Sequence, residues 1–247
     1  MIKVEKKNGY SIIQMNRPEK LNAINLSGYQ KFTLALNDAA EDPEIRATII
    51  IGAGPSFSSG NDLEDFSKGV GRDWEIAILD FLQSLARFPK VLIGAVQGHA
   101  VGVGATMLLH CDLVYLHETA DISFPFIHLG LVPEAGATWS LPRLIGRKKA
   151  SEYLLLGRIM SAPEAILTGF ANQTFGDDQS PLEVAEKVAI SLSKKPAQGL
   201  TATKKLMMRE SDEVVEEIIR REALEFMKLL QSETSQALVK GFLQQSH

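Results

Sequence analysis

The chain has 247 residues, a net charge of −4 and a mean hydropathy of zero, values typical of a globular protein with a large apolar core. This charge argues against general affinity for nucleic acid or for anionic membranes. Cys111 is the only cysteine, which excludes an internal disulfide. No apolar run is long enough to span a bilayer, and residues 1–7 are too charged for a signal peptide, so we expect a cytoplasmic protein.

Strands and helices are predicted to alternate from the start of the chain to about residue 167. The pair Asn8-Gly9 lies between two apolar runs and predicts a β-hairpin. Short β-branched runs predict buried strands at residues 47–51, 91–97, 113–116 and 122–124. Apolar periodicity predicts helices at residues 27–40, 74–88, 105–109, 138–144, 149–155 and 163–167. This alternation indicates an α/β fold with parallel strand pairing.

The character of the sequence changes after Pro196, because no strand candidate follows it. From residue 198 onward the apolar positions follow a helical period. Such helices must bury their apolar stripe on the α/β body or on a neighbouring subunit. We therefore divide the chain into an α/β core at residues 1–195 and a helical region at residues 196–247, and we expect the second to serve oligomerisation and pocket closure.

Two glycine-containing segments follow predicted strands. Residues 57–62 read Phe-Ser-Ser-Gly-Asn-Asp, and residues 98–104 read Gly-His-Ala-Val-Gly-Val-Gly. Both could present backbone N–H groups to an anion, although a simple turn explains the first segment equally well. The glycine spacing of the second segment is not that of a dinucleotide-binding loop, so we do not expect NAD or FAD.

Glu134 is the candidate acid or base. It follows Pro133 and precedes a predicted helix, in the apolar company of Phe124, Phe126 and Leu131. A carboxylate in a dry pocket can be tuned into a working base, but this position also suits an acidic residue at a helix N-terminus.

Other catalytic classes find little support in the sequence. None of the five histidines has metal-ligand spacing, so no metal site is predicted. Ser58 and Ser59 lack the G-x-S-x-G pattern of a serine hydrolase.

The ordered set of motifs resembles the enoyl-CoA hydratase/isomerase (crotonase) superfamily. The residues that carry the resemblance are 16–23, 57–63, 97–102, 111–112, 129–130, 156–157 and the helical tail. The resemblance implies an α/β fold built as a spiral of ββα turns, with a C-terminal helical trimerisation region. It also implies a homotrimer or a dimer of trimers that takes an acyl-CoA thioester as its substrate and needs no further cofactor.

The resemblance also implies roles for individual residues. The backbone N–H groups of Ser59 and Val103 would hold the thioester oxygen, and Glu134 would be the base. The other positions matched to substrate binding are Lys20, Leu21, Ala23, Ser58, Gly60, Asn61, Asp62, Leu63, Gly102, Gly104 and Phe126. Candidates for the acyl pocket are Phe66, Trp74, Leu79, Phe124 and Phe126, although core packing explains each of them equally well.

The carboxylates distinguish members of this superfamily. Hydratases carry two glutamates at the positions held here by Thr106 and Phe126, and neither residue can activate water. The segment Pro133-Glu134-Ala135 looks like the single-base motif of peroxisomal-type Δ3,Δ2-enoyl-CoA isomerases. We therefore expect isomerisation of 3-enoyl-CoA to 2-trans-enoyl-CoA. The alternatives are another reaction of the superfamily on an acyl- or aryl-CoA, such as hydration, dehalogenation or ring modification, and a non-catalytic acyl-CoA-binding protein.

Overall fold

The computed structural model describes residues 1–67, 71–208 and 212–245. Its larger sheet has six strands in the order β1-β2-β3-β4-β6-β9. These strands are Ile2–Lys6 (β1), Tyr10–Met15 (β2), Ala47–Gly52 (β3), Val91–Val96 (β4), Leu113–His117 (β6) and Gln173–Phe175 (β9). The β1–β2 pair is the antiparallel hairpin predicted from Asn8-Gly9, and the other neighbours are parallel, as predicted.

A second sheet has three short strands in the order β5-β7-β8. They are His99–Val101 (β5), Asp121–Ser123 (β7) and Met160–Ser161 (β8). Strand β5 lies inside the second glycine-containing segment, where no strand was predicted. Its three residues are too few for periodicity to reveal, and its pairing with β7 is what makes it a strand.

The helices cover both faces of the larger sheet. They are Leu26–Glu41 (α1), Leu63–Ser67 (α2), Arg72–Ala86 (α3), Val103–Thr106 (α4), Ala137–Ile145 (α5), Arg147–Leu155 (α6), Ala162–Thr168 (α7), Pro181–Ser193 (α8), Ala197–Met208 (α9), Asp212–Leu230 (α10) and Glu233–Gln245 (α11). Strand β3 is apolar throughout because its successive side chains enter two different cores. Ile50 joins the core that includes α1 and α3, whereas Ile49 and Ile51 pack with α8 on the other face.

Helix α8 was not predicted, although the sequence contains its start signal. Ser180 and Glu183 form a reciprocal capping box, and Pro181 occupies the first turn. This combination is a recognisable helix N-terminus. The short elements α2, β8 and β9 were also missed, because runs of two to five residues carry too little periodicity.

The C-terminal helices pack on the core of the same chain. Helix α9 contacts β4, α10 contacts α3 and α5, and α11 contacts α2 and the 3₁₀ turn Pro125–Leu129. The buried stripe of α10 includes Val215, Ile219 and Phe226. Within the described ranges, no helix combines the length and the apolar character needed to cross a membrane.

Candidate active site

Backbone hydrogen bonds hold the two glycine-containing segments side by side. Ser58 N–H donates to His99 O at 3.0 Å, and Val101 N–H donates to Ser58 O at 2.9 Å. A third segment joins them, because Ile24 N–H donates to Gly60 O at 2.8 Å. Three separate stretches that the resemblance assigns to the site are therefore neighbours in space.

Glycine is required where these segments touch. Gly60 has a φ of +91°, and a Cβ atom on it would lie 2.7 Å from Val101 O. A Cβ atom on Gly104 would lie 2.8 Å from Ser58 O. A side chain at either position would push the segments apart.

Buried polar side chains fix residues 16–23 against this pair of segments. The Asn22 amide donates to Ala53 O and to Ser56 O, each at 2.8 Å. Arg17 Nη1 donates to Asp62 Oδ2 at 2.6 Å. Asp62 was expected to contact substrate, and its carboxylate also has this structural partner.

A cavity of about 680 Å³ opens beside these segments. Among the residues assigned to the site from the sequence, its lining includes Lys20, Ala23, Ser59, Gly60, Asn61, Asp62, Leu63, Gly102 and Phe126. Leu21, Ser58, Val103, Gly104 and Glu134 are not part of the lining. The cavity volume is within the range of small-molecule sites.

The C-terminal helices supply one wall of this cavity. They contribute Phe226, Ala237, Leu238, Gly241, Phe242 and Leu243 to its lining. None of these positions was assigned to the site from the sequence, because an apolar stripe on a helix is the same whether it meets a core or a ligand.

The expected acyl-pocket residues are largely core residues. Phe126 does line the cavity and meets the Phe226 ring edge-on, with 6.4 Å between ring centroids. Phe124 packs edge-on against Phe170 in the core, and Trp74 packs against Tyr29. Leu79 is partly buried against the same core. Phe66 lies outside the residues whose side chains are described.

The two expected oxyanion donors differ in whether their backbone N–H already has an acceptor within the protein. Val103 is buried at the first position of α4, where an amide has no intrahelical acceptor, and no described residue accepts its hydrogen. Ser59 N–H, in contrast, donates to Leu21 O at 2.8 Å. The expectation that the Ser59 amide is available is therefore not met in this conformation. Leu21 has a φ of +48°, a costly conformation for leucine.

Glu134 is buried, with 3% of its surface exposed. Its Oε1 atom has no hydrogen-bond partner among the residues that the structure describes. Burial, together with the negative charge of Glu222, raises the pKa of Glu134 to about 8. A carboxyl group in this state has a basicity near that of a general base working at neutral pH.

Tyr29 connects Glu134 with the cavity wall. Its hydroxyl donates a short hydrogen bond to Asn61 Oδ1, and Asn61 lines the cavity. Burial raises the pKa of Tyr29, and the charge of Glu134 raises it further, so the two groups interact electrostatically. Glu134 itself does not line the cavity, and Tyr29 is the residue that contacts the lining and also responds to the Glu134 charge.

Two residues that the sequence did not single out hold the Glu134 loop. The Nε2 atom of His110 lies 2.8 Å from Ala135 O. A carbonyl oxygen can only accept a hydrogen bond, so this nitrogen carries the hydrogen and donates it. Burial lowers the pKa of His110 to about 4, which keeps the ring neutral. Glu222 accepts hydrogen bonds from Gly136 and Thr138.

Comparison with known proteins agrees with this geometry. A family model described as enoyl-CoA hydratase/isomerase matches residues 5–247. Enoyl-CoA delta isomerase 2 of Rattus norvegicus is 35% identical over 218 residues, which are 86% of this chain and 55% of that protein. The 1,2-epoxyphenylacetyl-CoA isomerase of Escherichia coli K12 is 35% identical over 199 residues, which are 78% of this chain and 76% of that protein. The chain thus spans about half the length of the delta isomerase.

Solved structures show the same architecture over the full chain. OdaA from Pseudomonas aeruginosa superposes with a TM-score of 0.93 at 35% identity, over 98% of each chain. This likeness confirms the expected spiral α/β fold with its C-terminal helical region. The family match, the fold and the arrangement of the motifs agree, so the chain belongs to the enoyl-CoA hydratase/isomerase family.

Proposed function

We propose that this protein isomerises 3-enoyl-CoA to 2-trans-enoyl-CoA, with Glu134 as its single base. The observation that carries the proposal is the buried Glu134 carboxylate, whose Oε1 atom has no partner among the described residues. Leaving such an atom unpaired is costly, and perturbed carboxylates of this kind cluster at functional sites. Two carboxylates on the cavity wall, Asp62 and Glu64, are instead paired with Arg17 and Lys20.

The proposed reaction needs one base and one oxyanion site. The thioester oxygen accepts the Val103 N–H, and it accepts the Ser59 N–H once it displaces the Leu21 carbonyl. Glu134 removes a proton from C2, the negative charge spreads onto the thioester oxygen, and the same carboxyl group returns the proton to C4. Each oxyanion donor contributes about 10²–10³ in rate, and general-base catalysis about 10²–10⁴.

No cofactor beyond the coenzyme A of the substrate is required for this chemistry. The double bond moves by transfer of one proton, so substrate and product have the same oxidation state. Thr106 and Phe126 stand where a hydratase needs carboxylates, which supports isomerisation over the addition of water.

A second candidate is isomerisation of a ring-bearing acyl-CoA. One relative is named 1,2-epoxyphenylacetyl-CoA isomerase. Three phenylalanines, Phe126, Phe226 and Phe242, line the cavity and could accept an aromatic acyl group. A panel of aliphatic 3-enoyl-CoA and aryl-CoA substrates distinguishes the two candidates by their kcat/KM values.

The test is Glu134→Gln assayed on a 3-enoyl-CoA, with product detected as the conjugated thioester. We expect the rate to fall by about 10²–10⁴, because the base is lost, while calorimetry shows acyl-CoA binding retained. Glu217→Gln is the matched control, since Glu217 is an exposed carboxylate on α10. A near-normal rate for Glu134→Gln would contradict the proposal, and binding without turnover by the unmodified protein would favour a non-catalytic acyl-CoA-binding protein.

The proposal includes a homotrimer or a dimer of trimers in the cytoplasm, with residues 196–247 closing the pocket. Leu155, Leu156 and Leu167 support it, because they are large apolar residues that are 66%, 69% and 85% exposed in the single chain. Sedimentation analysis tests the assembly, since a monomer at micromolar concentration would contradict it. Microscopy of a fluorescent fusion in the source cell tests the location.

A further inference from the structure

Glu222 is a buried carboxylate far along the chain from the proposed base. It lies on α10 with 5% of its surface exposed. Its oxygens accept from Gly136 N–H at 2.6 Å, from Thr138 N–H at 2.9 Å and from Thr138 Oγ1 at 2.5 Å. Three hydrogen bonds to one buried carboxylate indicate that Glu222 has a defined structural role.

The two amides belong to the first turn of α5, where backbone N–H groups lack intrahelical acceptors. Gly136 is the residue that precedes this helix, and no side chain of its own caps the turn. Glu222 therefore acts as the cap from another helix, and its negative charge suits the positive end of α5.

Gly136, the first residue that donates to Glu222, lies two residues after Glu134 in the chain. Between them lies Ala135, whose φ of +62° is unfavourable for a residue with a side chain. His110 bonds to Ala135 O on one side, and Glu222 bonds to Gly136 and Thr138 on the other. These contacts are what hold the strained loop in one conformation.

The charge of Glu222 also acts on Glu134. Burial raises the pKa of Glu222 while its three hydrogen bonds lower it, and its charge adds to burial in raising the pKa of Glu134. Two further titratable groups in the described part of the chain are related to the base: Tyr29, on which the Glu134 charge acts, and His110, which is bonded to the next residue; both are uncharged at neutral pH. Elsewhere on α10, Glu216 is paired with Arg87 of the α3 end and with Arg220.

We propose that Glu222 is a positioning residue: it holds the loop that carries Glu134 and keeps a negative charge beside that base. The proposal rests on Glu134 being the base, as set out above. Glu222 itself does not line the cavity and need not touch the substrate.

The test is the pH profile of kcat/KM for Glu222→Gln. The glutamine keeps one acceptor oxygen for the loop but carries no charge, so the midpoint of the acidic limb should fall by about one pH unit. The control Glu217→Gln makes the same chemical change on the same helix and should leave the midpoint unchanged. Thr138→Ala keeps the charge, so it should lower kcat without lowering the midpoint. An unchanged midpoint in a folded Glu222→Gln protein would overturn the proposal.

A second measurement needs neither activity nor a folded Glu222 variant. In the protein labelled with ¹³C at glutamate side-chain carboxyls, the Glu134 signal is assigned by its loss in Glu134→Gln. A second glutamate signal, that of Glu222, is expected to move at the pH where Glu134 ionises and to lose that movement in Glu134→Gln, because two nearby carboxylates titrate as a pair. If no second glutamate signal responds to that ionisation, the inference is overturned even if the isomerase is active. Conversely, coupled titration in an inactive protein would refute the proposed function alone.

Discussion

Asp62 and Glu134 are two nearly buried carboxylates with opposite environments, and both were assigned to the site from the sequence. Asp62 lies on the cavity wall and has the Arg17 guanidinium 2.6 Å away. Glu134 does not line the cavity, its Oε1 atom has no partner among the described residues, and burial together with the charge of Glu222 raises its pKa to about 8. Burial alone therefore does not make a carboxylate a base, and the groups around it decide whether it stabilises the fold or does chemistry.

The greatest change in stability should come from Glu134→Gln, which we expect to stabilise the protein at alkaline pH. The folded-state pKa of Glu134 lies above its usual 4.5, so the folded state binds this proton more tightly than the unfolded state. The stability from this group is fully present below pH 4.5 and is lost as the pH rises to about 8. At about 1.4 kcal/mol per unit of pKa, the variant should gain on the order of 3–5 kcal/mol at pH 9.

Denaturant unfolding at a series of pH values measures this gain. Glu217→Gln should give a curve parallel to that of the unmodified protein, because Glu217 is exposed. If Glu134→Gln also gives a parallel curve, then Glu134 is not a buried carboxyl group with a raised pKa.

The next effect should come from Asp62→Asn. This change leaves the mostly buried Arg17 charge with only the more distant and exposed Glu19 carboxylate at 3.9 Å, and we expect the free energy of unfolding to fall by about 2 kcal/mol at pH 7. Glu64→Gln is the matched control on the same wall, because its pair with Lys20 is exposed and should be worth less than about 1 kcal/mol. Equal losses for the two variants would show that the Arg17 pair does not fix this segment.

The smallest effect should come from Phe242→Ala. Phe242 lines the cavity but is 52% exposed, so truncation removes only part of a hydrophobic contact. We expect KM for a long-chain acyl-CoA to rise by up to about tenfold, with kcat and stability little changed. Val4→Ala is the control, since Val4 is an exposed apolar residue that does not line the cavity. A large fall in kcat for Phe242→Ala would mean that α11 acts on the reacting atoms.

Much of the core could be predicted from the sequence, because its signals are local. The buried strands around Ile49 and Ile93 are continuous apolar runs, and the α1 and α3 patterns gave helix bounds within two residues. The site was harder to predict, because its residues come from segments that are far apart in the sequence. Nine assigned residues line the cavity, yet Trp74 and Phe124 are core residues. Pocket closure by residues 196–247 was expected, but the lining residues of that region, such as Phe226 and Leu238, were not named.

Local sequence was enough to predict the α/β pattern, the glycines that let residues 57–62 and 98–104 meet, and Glu134 as a carboxylate that follows apolar residues in the chain. The folded chain was needed to show that Ser59 N–H donates to Leu21 O and that Glu222 caps the Glu134 loop. Glu222 and Gly136 are 86 positions apart, and nothing in the local sequence distinguishes Glu222 from the other acidic residues of α10. Periodicity and turn signals act between near neighbours, whereas the partners of a buried charge are chosen by packing.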